Sequence, residues 1–137
     1  MSFKKTIKRL YKILEIELSS DLTYHGIHHT HDVHEVCQFY VKHYDIKKND
    51  AQLLDLAAVG HDIGFTKSYN NHEEVSVEIT ADIMKSEGFA KKEILQVSEM
   101  IIATRSHNIL SLFSLLFYVM LIWITSAGLT SKKLEPT

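Results

Sequence analysis

The sequence predicts an all-α fold, a helical bundle followed by a hydrophobic C-terminal helix. Three observations carry that reading. Gly (5) and Pro (1) are scarce in a chain of 137 residues. Apolar residues recur at three- and four-residue spacing from Phe3 to Ile102, the period of a helix with one buried face. Turn-formers and strand-like β-branched alternations are few. Hydrophobic residues make up 45% and charged residues 23%, ordinary for a globular chain. The length suits one domain with a modest core.

The elements follow in order. Phe3, Ile7, Leu10, Tyr11, Leu14 and Leu18 define a first helix over 3–18, broken by Ser19, Ser20 and Asp21. A second runs from Thr30 to about Tyr44, with Val33, Val36, Cys37, Tyr40 and Val41 facing inward. Asn49 is the expected N-cap of a third, over 50–59, with the dense run Leu53, Leu54, Leu56, Ala57 and Ala58. Asn71 and Glu74 have the spacing of a capping box for a fourth helix ending at Gly88. Ile94, Val97, Ile101 and Ile102 mark a fifth over 91–104. Residues 1–108 therefore read as one helical domain. Residues 109–129 contain no charge and are long enough to span a bilayer. Lys132 and Lys133 follow in a polar tail, 130–137. A spanning or interfacial helix and a buried core helix are both open for 109–129.

Net charge is −2, so no basic patch points to a nucleic-acid polymer. Cys37 is the single cysteine, which excludes an internal disulfide and a CxxC zinc site and fits a reducing, cytoplasmic setting. Membrane association through 109–129 is the alternative. The basic N-terminus lacks a following apolar stretch, so no signal peptide is expected. Nine histidines are many for this length, and five lie between His25 and His34.

Two His-Asp dipeptides occur, His31-Asp32 and His61-Asp62. The second ends an apolar helix and stands between Gly60 and Gly64. An Asp at a buried helix end is costly unless it is paired or bound to a cation. Its neighbour His61 supplies a neutral nitrogen, so the pair suits Zn, Mn, Fe, Mg, Co or Ni. A capped helix end with a hydrogen-bonded histidine is the plainer reading of the same residues.

Tyr24 to Val33 reads Y-H-G-I-H-H-T-H-D-V. This resembles the first metal motif of HD-domain proteins, Y-H-N-x-x-H-[AT]-x-D-V, with Gly26 in place of Asn. His72-Glu73-Glu74-Val75-Ser76 resembles the H-E-x-x-S stretch that follows the HD motif in that superfamily. Ile101 to His107 resembles its next segment. The resemblance spans roughly residues 3–108 and implies an HD-type helical bundle. It implies a divalent-metal phosphohydrolase acting on a nucleotide or another small phosphate ester. His29, His61 and Asp62 would be metal ligands. His25 would be the general acid for the leaving oxygen, and His72, Arg105 and His107 would face substrate phosphate. Asp32 becomes a helix-start residue, and His28, His31 and His34 read as solvated helix-face residues. In such a site the metal activates water for attack on phosphorus.

The family order also requires a final Asp well beyond residue 100. The only Asp after Asp62 is Asp82, which comes too early. The codons of Tyr118 to Gly128, read two bases out of frame, allow C-D-A-D-L-D-Y-F-G-R, close to the family's D-A-D-L segment. A frameshift between about Asn108 and Tyr118 is therefore expected. Two other readings stay open. One is a non-catalytic HD remnant, truncated or tail-anchored, that binds metal weakly. The other is an HD-like diiron oxygenase using His72 and His107 as extra ligands.

Overall fold

The computed structural model describes residues 2–18 and 26–104. Among these residues the fold is all-α, with five helices and one short 3₁₀ turn. Helix α1 is Phe3–Glu17, α2 Ile27–His43, α3 Lys48–Gly60, α4 His72–Ser86 and α5 Lys91–Ile102. The 3₁₀ turn, Ile63–Thr66, joins α3 to the loop before α4.

Helix α1 starts at Ser2, whose hydroxyl accepts the Lys5 N–H and whose carbonyl accepts the Thr6 hydroxyl at 2.7 Å. Leu10 and Leu14 are its buried stripe. Arg9 then ties α1 to the end of α4, donating to Glu87 at 2.7 Å and to Ser86 at 2.8 Å. Helix α3 is the axis of the bundle: α1, α2, α4 and α5 all pack on it. That position explains its composition. A helix covered on most sides is largely apolar: Leu53, Leu54, Leu56, Ala57, Ala58, Val59 and Gly60 are all buried, with Asp55 the one charged residue within that run. Val33 and Cys37 bury the inner face of α2, while Val36, Tyr40 and Val41 are half-buried.

Two helix starts and one cap differ from expectation. Helix α2 begins at Ile27 rather than Thr30, which carries His28 and His29 onto the helix and leaves Asp32 in its second turn. Asn49 lies inside α3, whose N-cap position is Lys47. Asn71 does precede α4, but its backbone is left-handed (φ 55°) and its side chain makes no capping bond. A left-handed Asn closes the preceding turn instead. At the other end of α4, Gly88 is left-handed (φ 86°) and Phe89 N–H donates back to the Met84 carbonyl at 3.1 Å. This is the Schellman closure that favours glycine.

Among the described residues no helix is long and apolar enough to cross a membrane. Residues 109–129, expected as a hydrophobic C-terminal helix, and the tail 130–137 lie outside the described residues.

Candidate metal centre

The two sequence motifs meet where α2 packs on the end of α3. His29 sits in the first turn of α2. His61 is the C-cap of α3, and Asp62 leads into the 3₁₀ turn. All three are buried, at 7%, 2% and 3% exposure. Among the described residues they form the one group of three or more His, Cys, Asp or Glu side chains that could hold a metal ion, with donor atoms within 4.8 Å of one another.

Two glycines let this corner form. A Cβ on Gly60 would meet the Thr80 hydroxyl of α4 at 2.5 Å. A Cβ on Gly64 would collide with the backbone carbonyl of His72. The chain can therefore turn from α3 against α4 only with bare backbone at both positions. Ser76 fixes the turn further, its hydroxyl accepting the Gly64 N–H at 2.8 Å. The serine of the H-E-x-x-S stretch thus positions the turn that follows Asp62.

The donor geometry suits a cation. His29 Nε2 lies 3.5 Å and His61 Nε2 3.4 Å from the same oxygen, Asp62 Oδ2. Bonds of about 2.1 Å in a tetrahedral shell place neighbouring donors about 3.4 Å apart, against about 3.0 Å for a cis octahedral pair. The two rings meet edge to face, with centroids 5.4 Å apart. His61 is held in the required tautomer. Its Nδ1 donates to the Ala58 carbonyl at 2.6 Å, which leaves the Nε2 lone pair for a ligand bond. That Nε2 is buried without a hydrogen bond, an arrangement that costs free energy in a finished core and is what a ligand atom needs. Burial opposes protonation of His61, but the Asp62 carboxylate and the Ala58 carbonyl outweigh it and raise the imidazole's pKa. The site thus attracts positive charge.

His72 opens α4 beside these three residues. Its Nε2 lies 3.7 Å from Asp62 Oδ1 and 3.4 Å from Glu73 Oε1, and its ring stacks on Phe65 at 4.0 Å. One Asp62 oxygen therefore faces His29 and His61 while the other faces His72. Nothing in the sequence marks Phe65 for this position, since stacking across a turn leaves no periodic signal. His25, Arg105 and His107 lie outside the described residues.

Comparison with protein-family models gave no match, and comparisons with curated proteins and with solved structures gave no significant match.

Proposed function

We propose that the protein is a divalent-metal-dependent phosphohydrolase of the HD type, acting on a nucleotide or another small phosphate ester. The observation that carries this reading is the convergence of His29 with His61-Asp62 into one buried donor set. The motifs Y-H-G-I-H-H-T-H-D-V and H-E-E-V-S add their resemblance to the superfamily. His29, His61 and Asp62 hold the metal. A divalent ion there supplies Lewis-acid activation of water and of a phosphoryl oxygen. His72, on the open side of Asp62, binds the substrate phosphate, with Arg105 and His107 as further phosphate contacts. His25 protonates the leaving oxygen. In this reading the protein works in the cytoplasm.

One sequence observation favours a second reading, a metal-binding HD module without turnover. Among these 137 residues no Asp follows Asp82, where the HD resemblance asks for a further ligand. Fewer charged ligands mean weaker metal binding and an open coordination position. The two readings separate in one experiment. Metal-stripped protein is reloaded with Mn, Mg, Ni, Co, Zn or Fe, and phosphomonoesters, phosphodiesters and nucleotides are assayed with each. The first reading expects turnover that Asp62→Asn abolishes. Metal uptake without turnover leaves the second. Failure to take up any metal sinks both, and oxygen-dependent turnover with iron alone would place the chain among oxygenases.

A further inference from the structure

A second His/Asp pair lies on the same seam between α2 and α3. His34 was expected to be a solvated helix-face residue. It is instead half-buried and faces Asp55 of α3, with Nε2 3.4 Å from Oδ1. On helices rising about 1.5 Å per residue, the pair lies roughly 8 to 9 Å along the seam from His29 and His61.

Three features of the pair match a ligand set better than a plain ion pair. A charge-assisted N–H···O bond closes to about 2.7–2.9 Å, whereas this separation equals the tetrahedral edge seen between His61 and Asp62. Asp55 Oδ1 is buried and has no hydrogen-bond partner. The other nitrogen of His34, Nδ1, is engaged by the Tyr11 hydroxyl at 2.7 Å, the outer-partner arrangement that orients ligating histidines. Tyr11 is in turn stacked on His31, centroids 4.8 Å apart. One turn along α2, the Gln38 amide lies 3.4 Å from the same His34 Nε2. Its nitrogen and oxygen exchange places by a half-rotation, and with oxygen inward it adds a third donor 3.4 Å from His34 Nε2.

We propose that His34, Asp55 and Gln38 form a second divalent-cation site, of the zinc class, that links α2 to α3 with Tyr11 of α1 as outer partner. The nitrogen donor and the tetrahedral spacing select zinc over magnesium or calcium. The site does not depend on the phosphohydrolase reading.

Zinc alone is the probe. Full-length, metal-stripped protein is titrated with Zn²⁺ against a chromophoric chelator, with helicity checked by circular dichroism. Wild type is expected to bind two ions per chain. Asp55→Asn is expected to bind one, and that ion is lost when His61→Asn is added. Tyr11→Phe should weaken the second ion about tenfold. Gln38→Glu, at an exposed position, should tighten it and serves if Asp55→Asn does not fold. A single ion in wild type that Asp55→Asn leaves bound overturns the proposal, whereas a single ion that Asp55→Asn removes supports it and counts only against the site at Asp62. A second ion that survives Asp55→Asn, or one indifferent to Gln38→Glu, also overturns it.

Discussion

At the residue scale, what distinguishes this molecule is where polar atoms are kept inside. His61 directs one nitrogen to a carbonyl and holds the other without a hydrogen bond beside Asp62. Cys37 shows the opposite environment eight residues along α2 from His29. Burial, with a smaller contribution from the Asp55 carboxylate, pushes its thiol up to about 12 from an ordinary 9.0. The thiolate is the reactive form, so the folded protein should resist alkylation at pH 8, and iodoacetamide labelling should follow unfolding in urea. The same shift sets a pH dependence. The unfolded thiol ionises near 9 and the folded one not until about 12, so the folded state holds the proton longer. This contribution to stability is complete below pH 9. It falls by about 1.4 kcal/mol per unit as the pH rises from there toward 12. Urea midpoints at pH 8 and pH 10.5 should therefore differ less in Cys37→Ser than in wild type. Equal differences would show that the thiol is not buried as described.

At the element scale, the turn after α3 is the part on which the site depends. Gly64→Ala would press a methyl against the His72 backbone, an overpacking that costs about 1–3 kcal/mol. Ser76→Ala would leave the Gly64 N–H buried without an acceptor, also about 1–3 kcal/mol. Each should lower the melting temperature and weaken metal uptake at the proposed Asp62 site, because both move the backbone that carries it. Wild-type values for both variants would mean that the turn does not position the site. The helices themselves were legible from spacing, because each needs only a one-sided apolar stripe, and α3 from a run apolar on most sides. His29, His61 and Asp62 were legible because they lie within short local motifs. Asn71 does stand at the N-cap of α4, but neither its missing capping bond nor the start of α3 before Asn49 was legible, since a capping residue type does not reveal its own backbone angles. The His34 environment was missed for a related reason. Nothing local in the sequence brings Tyr11 and Asp55, from two other helices, to one imidazole.

At the scale of the whole molecule, the described helices bring together three donors, and the proposed HD-type reading asks for a fourth, an Asp beyond residue 100. The codons for Tyr118 to Gly128 can supply one. Trp123 followed by Ile124 must contain GAT, an Asp codon, two bases out of frame. The neighbouring codons permit the flanking residues of a D-A-D-L segment. The nucleotide sequence tests this directly, because third bases that cannot spell that segment exclude a frameshift. If they do spell it, a chain translated in the restored frame regains an Asp carboxylate. A further anionic oxygen donor strengthens the attraction for a divalent ion and closes a coordination position. Zinc or manganese bound per chain after gel filtration should then rise, and Asp62→Asn should cancel the gain. An unchanged metal content in the restored chain would mean that the regained Asp does not act as a ligand.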